Sequence, residues 1–431
     1  MPLDTSIENG AGQEGVGIAT PRAKSPRRVL ILVENLSVPF DRRVWSEARS
    51  LIKAGHTVSV ICPKMVDRKT YEVRSGVRIY RFPLPLPETN SALGYFWEYP
   101  WAMLMTLLLA LVVFVRDRFD VIHACNPPDL FFLVGWIFRP LGVRFVYDQH
   151  DLCPEAFTSR FGRQSGLLYR TLQLLESLTF RTADIVIATN ESYRETAIRR
   201  GACDPDTVFV VRSAPDVREF RPERPDKALR GGQSHLVCYL GTMAPQDGGD
   251  YLIRSVRHVV HDRGRSDIRV VLIGGGDSIP DLRSLVTELD LDGVVHFTGR
   301  VPDDELRRWL STADVCVAPD PVNPLNNLST MNKILEYMAM AKPIVSFGLV
   351  ETQRSAGEAA LYARDNDCDD FGDRLIELLD DAPRRKRMGR IGRERLIEKL
   401  SWQQSAAVLV RAYDAISGER SVATPVHAVL R

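Results

Sequence analysis

Short apolar segments alternate with longer amphipathic segments along most of this 431-residue chain, and the alternation stops once before it restarts. The interruption is a charged stretch at 216–234 that is rich in Pro, Gly and Arg. An alternation of strands and helices predicts parallel β-sheets that are covered by helices. We therefore expect an α/β fold with two successive Rossmann-like domains that face each other across a cleft.

The composition along the chain suggests where these domains begin and end. Residues 1–26 are mostly polar and have no apolar core, which is typical of a disordered tail and not of a signal peptide. We assign 27–215 to an N-terminal domain and 216–400 to a C-terminal domain. An amphipathic segment at 401–417 predicts a closing helix that packs back on the N-terminal domain.

The first strand–helix–strand unit of the chain excludes one common ligand class. RVLILV (28–33) and HTVSVICP (56–63) are the two predicted strands, with a helix between them that ends at Gly55. The loop at 34–43 has no GxGxxG sequence. The unit therefore lacks the fingerprint of dinucleotide binding.

The segment at 320–346 predicts a polar loop, a helix and a short buried strand. Asn, Ser and Thr residues precede the helix and are expected to cap it. A helix N-terminus attracts phosphate, and Lys333 adds a positive charge one turn inside. Glu336 lies three residues further on the same face and offers two acceptor oxygens for sugar hydroxyls. Together these groups could hold the phosphates and the ribose of a nucleotide diphosphate.

The alternative interpretation of Lys333 and Glu336 is an exposed helix pair that stabilises the helix by a few tenths of a kcal/mol. The neighbouring sequence favours the ligand site. Ile334, Leu335 and Met338 form an apolar face, and the helix leads directly into the strand KPIVSF. Such a helix is fixed at the edge of the sheet where ligands of open α/β sheets bind.

Charge and cysteine content narrow the class of protein. The net charge is +1, so no global attraction to nucleic acid is expected. The seven cysteines are scattered, none forms a CxxC pair, and several lie in apolar strand-like runs. This pattern indicates buried thiols in a reducing cytosol, and neither a disulfide framework nor a zinc site.

Two polar residues follow the predicted strand RFVYD at the presumed cleft. His150 and Asp151 stand at the carboxyl end of that strand, where parallel sheets place their sites. A single histidine is more often structural than catalytic, but the adjacent aspartate favours a role in the cleft. We expect His150 to contact the donor sugar or its leaving side. Asp151 is expected to hold that histidine or the acceptor.

An apolar run at 101–115 follows several aromatic residues, among them Trp97, Tyr99 and Trp101. The run is short for a membrane span, which needs about 20 residues. One interpretation is a buried helix of the N-terminal domain. The other is a helix at 97–115 that contacts the membrane interface, with the aromatic residues at headgroup level. A second apolar run at 131–138 is interpreted as core.

Five motifs, in order, resemble the family-4 glycosyltransferases of the GT-B fold, especially bacterial members that build exopolysaccharide or lipopolysaccharide. The resemblance spans about 27–417. The motifs in this sequence are YDQHDLCPE (147–155), YLGTMAPQDGGD (239–250), LIGGGD (272–277), HFTGRVP (296–302) and STMNKILEYMAMAKPIV (329–345).

The resemblance implies a retaining, metal-independent transferase with no cofactor, because the nucleotide-sugar is a substrate. It implies that the C-terminal domain binds this donor, with a UDP-sugar favoured over a GDP-sugar. The N-terminal domain would bind a lipid-linked saccharide acceptor at the cytoplasmic face of the membrane. By this resemblance, His150 and Asp151 are catalytic. The implied donor-binding residues are Gly241, Thr242, Gly274, Gly275, Arg300, Asn327, Ser329, Thr330, Lys333 and Glu336.

The sequence departs from the family pattern at positions that contact the donor. Leu328 stands where many members have a Glu, so contacts to the sugar are expected from Asn326, Asn327 or the N–H groups near Ser329. Asp247-Gly248 replaces a Lys-Gly pair, which removes one phosphate-binding cation. In the N-terminal domain, the residues at 39–43 (PFDRR) replace a glycine loop.

Other functions remain open from the sequence. A nucleotide-sugar epimerase of the same two-domain shape would need no acceptor and no membrane contact. A non-catalytic nucleotide-sugar-binding partner would fit the departures at Leu328 and Asp247. Glycoside hydrolysis by paired carboxylic acids is disfavoured, because a phosphate-binding helix has no use in that reaction.

Overall fold

The computed structural model describes residues 20–65, 67, 69–84, 92–161 and 166–416. Within these ranges the chain forms two α/β domains, each built on its own sheet. Most of the predicted tail, 1–19, and the last predicted residue of the closing helix, Ser417, lie outside the described residues. The predicted boundary at 215–216 stays a prediction, and the charged stretch that begins there leads into β9.

The strands are β1 (Arg28–Leu32), β2 (Thr57–Lys64), β3 (Tyr71–Arg74), β4 (Val77–Pro83), β5 (Val121–Cys125), β6 (Arg144–Gln149), β7 (Ile185–Ala188), β8 (Val208–Val210), β9 (His235–Leu240), β10 (Ile268–Ile273), β11 (Val295–Gly299), β12 (Val315–Ala318), β13 (Ile344–Phe347) and β14 (Ala360–Ala363). The helices are α1 (Arg42–Ala54), α2 (Ala92–Arg116), α3 (Phe132–Phe138), α4 (Cys153–Phe161), α5 (Leu167–Thr182), α6 (Glu191–Arg199), α7 (Gly249–Arg257), α8 (Ile279–Glu288), α9 (Asp303–Thr312), α10 (Pro324–Leu328), α11 (Asn332–Ala339), α12 (Val350–Ala356), α13 (Cys368–Asp380), α14 (Ala382–Arg395) and α15 (Trp402–Ala415).

The N-terminal sheet has the strand order β3-β4-β2-β1-β5-β6-β7-β8. All neighbouring strands are parallel except β3, which pairs antiparallel with β4 at one edge. The central strands are buried on both faces, as expected for a parallel sheet. Helices α2, α3 and α5 pack on one face, whereas α1 and α15 pack on the other.

The C-terminal sheet is parallel throughout, in the order β11-β10-β9-β12-β13-β14. Its two faces are covered by separate clusters of apolar side chains, one under α7, α8 and α13 and the other under α9, α11 and α12. Apolar residues of α11, such as Ile334, Leu335 and Met338, are buried in the second cluster. This packing fixes the helix that the sequence predicts to bind phosphate.

The last helix, α15, returns from the C-terminal domain to the first. It packs on α1, β7 and β8. Trp402 donates from Nε1 to Ser50 Oγ at 3.0 Å, and Tyr413 Oη lies 2.8 Å from His123 Nδ1. The chain therefore crosses between the domains twice within the described residues.

Two edge strands, β3 and β14, lack the sequence pattern from which a strand is predicted. β3 is an exposed edge strand whose residues Y-E-V-R alternate without a buried face. β14 is an edge strand of four residues, ALYA, two of them Ala. Neither carries the buried apolar run that identifies a central strand.

Candidate functional site

A cavity of about 990 Å³ separates the two domains. From the N-terminal domain it is lined by the loop before α1 and by the residues after β6. From the C-terminal domain it is lined by the start of α9 and by Ser329, Thr330, Asn332 and Glu336. The carboxyl end of a parallel sheet is where α/β proteins bind ligands, so this cavity is the candidate site.

Five of the predicted site residues line this cavity: His150, Asp151, Ser329, Thr330 and Glu336. The remaining predicted residues lie outside the lining: Gly241, Thr242, Gly274, Gly275, Arg300, Asn327 and Lys333. The lining also includes residues that were not predicted, among them Phe40, Arg42 and Tyr193.

The start of α11 differs from the sequence-based prediction. A separate short helix, α10, precedes it, and the cap residue is Met331, whose side chain makes no capping hydrogen bond. The expected capping by Asn, Ser or Thr is therefore wrong. The hydroxyl of Thr330 is buried and has no hydrogen-bond partner in the described part of the chain. An uncapped helix end beside an unpaired hydroxyl leaves donors available for an anion.

Glu336 lies one turn inside α11 and faces the cavity with 20% of its side chain exposed. Burial raises the pKa of its carboxyl to about 7, and the guanidinium of Arg42 opposes this rise. Arg42 belongs to the N-terminal domain, and its Nη1 lies 4.0 Å from Glu336 Oε1. The carboxylate thus stands at the meeting point of the two domains.

Lys333 is buried behind Glu336 and is already paired. Its Nζ lies 2.8 Å from Asp320 Oδ1 and 4.6 Å from the centre of the Tyr239 ring. Burial alone would lower the pKa of Lys333, but the Asp320 carboxylate raises it above the ordinary value. The sequence prediction missed Asp320, which comes two residues after β12. The charge of Lys333 is therefore largely compensated before any ligand binds.

The glycine turns after β9 and β10 pack against each other and against Lys333. A Cβ at Gly274, whose φ is 140°, would lie 1.8 Å from the carbonyl oxygen of Gly241. A Cβ at Gly241 would lie 3.2 Å from Lys333 Cε. Only glycine permits this approach of the two turns. The Thr242 carbonyl accepts from Tyr239 Oη at 2.6 Å, which fixes the first turn.

Arg300 follows β11 at the edge of this layer. A Cβ at Gly275 would lie 3.7 Å from Arg300 Cγ, so the second glycine turn and the arginine are neighbours. The guanidinium of Arg300 lies over the ring of Phe40, 5.5 Å from its centre. Because Phe40 belongs to the N-terminal domain, this contact crosses the cleft.

The asparagines of α10 form hydrogen bonds within the C-terminal domain and do not line the cavity, although the sequence suggests them as sugar contacts. Asn326 is buried, and its Nδ2 donates to the carbonyls of Gln246 and Pro321 at 2.9 Å each. The side-chain oxygen of Asn327 accepts from the N–H of Val350 at 3.0 Å, which places it at the start of α12. The predicted role of these two asparagines as sugar contacts is therefore unsupported by their geometry.

Leu328 and Ser329 lie at the contact between the domains. The Leu328 side chain packs against the apolar core of the N-terminal domain, and its carbonyl accepts from Asn190 Nδ2 at 2.9 Å. Ser329 Oγ lies 3.1 Å from Tyr193 Oη. The apolar side chain that replaces the family Glu thus joins the two domains.

Asp247 takes a structural role in place of the missing cation. Its carboxylate accepts from the N–H of Ala244 at 2.9 Å and closes the turn before α7. Burial raises the pKa of this carboxyl, and the charge of Lys333 opposes the rise. The site therefore has one positive charge fewer than the family pattern, as the sequence indicates.

His150 is held by a buried carboxylate that the sequence prediction missed. Its Nε2 lies 2.5 Å from Asp148 Oδ2, and its backbone N–H donates to Asn126 Oδ1 at 2.6 Å. Of the two roles expected for Asp151, holding the histidine falls to Asp148 instead, and the role toward the acceptor stays a prediction, with Asp151 exposed toward the cavity. The sequence does contain a signal for this pairing, because residues 148 and 150 lie on the same side of an extended segment.

A buried ionic cluster lies beneath His150. Arg43 Nη2 lies 2.7 Å from Asp148 Oδ1 and 3.1 Å from Glu47 Oε1, while His123 Nε2 lies 3.3 Å from Asp148 Oδ2. Burial disfavours the ionised form of Asp148, but Arg43 holds its pKa well below the ordinary range. Burial raises the pKa of Glu47 well above its ordinary value. One guanidinium thus compensates one firmly ionised carboxylate.

Four residues of this cluster have potential metal-ligand atoms close together. Ligand atoms of Glu47, Cys125, Asp148 and His150 all lie within 4.8 Å of one another. The Arg43 guanidinium already compensates Asp148, and burial disfavours the ionised form of Glu47, so these residues do not fit a metal ion. Burial also raises the pKa of the Cys125 thiol, which disfavours the thiolate that a metal requires.

The geometry brings together an anion-binding helix end, a carboxylate that can accept from hydroxyls, and a histidine on the facing wall. This arrangement can bind a phosphorylated sugar and present its sugar carbon to the opposite domain.

Two family models match the chain, one on each domain. The model described as Glycosyl transferase 4-like domain matches residues 41–214, and the one described as Glycosyl transferases group 1 matches residues 234–381. Together they cover well over half of the chain.

Characterised relatives are similar over most of their length. The chain is 28% identical to alpha-maltose-1-phosphate synthase of Mycolicibacterium smegmatis, over 64% of this chain and 74% of that protein. It is 27% identical to D-inositol 3-phosphate glycosyltransferase of Corynebacterium aurimucosum, over 70% of this chain and 73% of that protein.

Solved structures share the fold. Sucrose-phosphate synthase from Thermosynechococcus elongatus superposes with a TM-score of 0.72 at 18% identity, covering 90% of this chain and 98% of that one. HepE from Anabaena, in complex with UDP and glucose, superposes with a TM-score of 0.69 at 14% identity, covering 90% and 100%. With both domains matched and the two-sheet architecture in place, the chain belongs to the family-4 glycosyltransferases of the GT-B fold.

Proposed function

We propose that this glycosyltransferase moves a sugar from a nucleotide diphosphate, preferentially a UDP-sugar or else a GDP-sugar, to a lipid-linked saccharide in bacterial surface polysaccharide synthesis. The observation that carries the donor part is the uncapped N-terminus of α11, with the buried, unpaired hydroxyl of Thr330 before it and Glu336 one turn inside. These groups match a diphosphate followed by a ribose.

The departure of the nucleotide leaves negative charge on the phosphate. Preorganised hydrogen-bond donors at that position stabilise the transition state. Because Lys333 is paired with Asp320 at 2.8 Å, the N–H groups of α11 and the Thr330 hydroxyl carry more of this stabilisation than the sequence suggests. The proposal includes retention of the anomeric configuration and no requirement for a metal ion, as is usual in the family.

His150 acts on the sugar side of the donor in this proposal. Asp148 accepts from its Nε2 at 2.5 Å, which leaves Nδ1 as the second ring nitrogen for the substrate. Asp151 is exposed to the same cavity and is available for the acceptor.

A lipid-linked acceptor requires the protein to meet a membrane surface. Helix α2 contains an 18-residue window, Tyr99–Arg116, of which only 22% is buried, and by length and composition it is the one helix among the described residues that could cross a membrane. Its exposed residues Leu104, Leu108, Leu111 and Val115 recur at helical spacing and form one stripe. We propose that this stripe lies in the membrane interface.

The exposed apolar surface of α2 continues on the neighbouring helices α3 and α5. The run at 131–138 is core only in part, since Phe132 and Phe138 are buried whereas Leu133, Trp136 and Ile137 are about half exposed. Leu167, Leu168 and Leu174 of α5 are also exposed. We name the exposed apolar side chains of α2, α3 and α5 the apolar face. Trp97 is one of the aromatic residues predicted at the level of the lipid headgroups, and its side chain lies outside the described residues.

Basic residues accompany the apolar face, which favours a bilayer with anionic headgroups over an uncharged partner. Arg116 and Arg118 are exposed at the end of α2, and Arg170 and Arg181 are exposed on α5. Each cation near an anionic surface contributes about 1 kcal/mol to binding. The protein would then be peripheral to the inner face of the membrane.

The test is to incubate the protein with UDP- and GDP-sugars, with and without a membrane lipid extract, and to analyse the products by NMR. We expect transfer of a sugar to lipid with the donor configuration kept, also in the presence of EDTA. Conversion of the donor alone into its epimer would instead identify an epimerase. Binding of the donor without any turnover, under all conditions, would identify a non-catalytic partner.

A further inference from the structure

The residues from Phe40 to Arg43, where the chain enters α1, direct alternate side chains into the N-terminal domain and into the cleft. Asp41 points inward and caps α1 by accepting from the N–H of Val44 at 3.0 Å, and Arg43 is buried against Asp148. Phe40 and Arg42 point outward and are 46% and 63% exposed. The inward residues anchor the loop, so the outward residues are presented to the C-terminal domain at a defined place.

Both outward side chains contact the wall that carries the donor-binding groups. Arg42 forms an ion pair with Asp303 of α9, and its Nη1 also lies 4.0 Å from Glu336 Oε1. The Phe40 ring lies against the guanidinium of Arg300. Arg42 is therefore shared between two carboxylates and is closer to Asp303.

We propose that Arg42 is a positioning residue for the donor: it acts through Glu336 by keeping that side chain a carboxylate, while Asp303 keeps the guanidinium off the carboxylate oxygens. This inference rests on the proposed function, in which Glu336 accepts from the ribose. A direct ion pair would occupy the oxygens that the ribose needs. A guanidinium about 4 Å away leaves them free and still favours the charged form.

The charged groups that face Glu336 come from three elements. Arg42 begins α1, Asp303 begins α9, and Lys333 lies on α11 itself. Burial raises the pKa of Glu336 to about 7, Arg42 and Lys333 lower it, and Asp303 raises it. Lys333 is already bound to Asp320. Arg42 is therefore the cation whose removal should raise the pKa of Glu336 most directly.

The test is calorimetric titration with UDP-glucose from pH 6 to 8.5, a range above the pKa of its diphosphate and below the pKa of its uracil ring. In Arg42→Ala the pKa of Glu336 is expected to rise by about one unit, because the mutation removes a positive charge 4.0 Å away that favours the carboxylate. The affinity should fall about tenfold at pH 6, about fivefold at pH 7 and less than twofold at pH 8.5. Arg42→Lys should restore most of the wild-type profile.

Two further variants sharpen the test. Asp303→Asn removes the opposing charge and should shift the profile to lower pH, opposite to Arg42→Ala. It also frees the guanidinium to pair with Glu336, so the affinity at pH 8.5 should fall below that of the wild type. Arg390→Ala is the matched control, because Arg390 is equally exposed at 65% and pairs with Glu394 far from the cleft. Its profile should equal that of the wild type.

A loss of affinity in Arg42→Ala that is the same at every pH would overturn the inference, because it would show direct contact with the donor. Unchanged profiles in both Arg42→Ala and Asp303→Asn would overturn it as well. Failure of the wild type to bind any nucleotide-sugar contradicts the proposed function itself, and the inference falls with it.

Discussion

The adjacent residues Arg42 and Arg43 have opposite environments, and the contrast shows what each side chain contributes to stability and to the site. Arg43 is buried and compensates Asp148, whereas Arg42 is exposed in the cleft. Breaking a buried ion pair leaves an uncompensated charge in the interior. The buried arginine therefore serves stability, and through Asp148 it also serves the orientation of His150.

We predict that Arg43→Ala lowers the free energy of unfolding of the N-terminal domain by about 3–5 kcal/mol. Arg42→Ala should change it by less than about 1 kcal/mol, because exposed ion pairs contribute little. Urea denaturation followed by tryptophan fluorescence measures both. Equal destabilisation by the two substitutions would contradict the assignment of Arg43 to a buried cluster.

For His150→Ala we predict a loss of about a hundredfold in kcat, with the affinity for the nucleotide-sugar changed by less than about threefold. The reason is that the histidine is placed on the wall facing the donor phosphates, where it acts during transfer. His261→Ala, on an exposed helix end, is the control. An equal loss of affinity and kcat would assign His150 to donor binding alone.

At the scale of secondary-structure elements, the two glycine turns form the layer behind α11. Gly274→Ala would place a methyl group 1.8 Å from the carbonyl oxygen of Gly241 and would force the turns apart. We predict weaker nucleotide binding by at least tenfold and a lower Tm. Gly232→Ala is the control, since its φ is also positive at 87° but nothing lies within 4 Å of the added carbon. Its binding should remain at the wild-type level.

Helix α2 allows a separate test of the membrane contact. Leu108→Asp changes an exposed residue in the stripe of the apolar face, so the fold should be retained. We predict that sedimentation with vesicles of phosphatidylglycerol and phosphatidylcholine falls at least tenfold, because a charge opposes burial in the interface. Val73→Asp, at a comparable exposure of 58% on β3, should leave sedimentation unchanged. If both variants sediment like the wild type, the apolar face does not bind membranes.

At the scale of the whole molecule, the alternating strands and helices were sufficient to predict two Rossmann-like domains, because buried parallel strands leave continuous apolar runs. The edge strands β3 and β14 were not predicted, because exposed or small residues leave no such run. Glu336 and His150 were predicted at the cleft, where both are found. Their partners Arg42 and Asp148 were not, because ion pairs between distant segments leave no local pattern in a single sequence.

The relative placement of the two domains could not be predicted from the sequence either. It depends on contacts such as Glu351, whose buried carboxylate accepts from the N–H and hydroxyl of Ser192 at 3.0 and 2.7 Å across the interface. Leu328 contributes at the same interface, where the family pattern suggested a sugar contact. The departure from the family at this position therefore affects how the domains join.

The most direct test is titration of the wild type and Glu336→Gln with UDP-glucose and GDP-mannose at pH 6, 7 and 8. The wild type should bind one of them, with affinity rising up to about tenfold from pH 6 to 8, because a carboxyl with a pKa of about 7 loses its proton in that range. Glu336→Gln should bind about ten- to a hundredfold more weakly at pH 8, from the loss of about 1.5–3 kcal/mol of charged hydrogen bonding, without pH dependence. Wild-type affinity in Glu336→Gln, or no binding of any nucleotide-sugar by the wild type, would contradict the donor site described above.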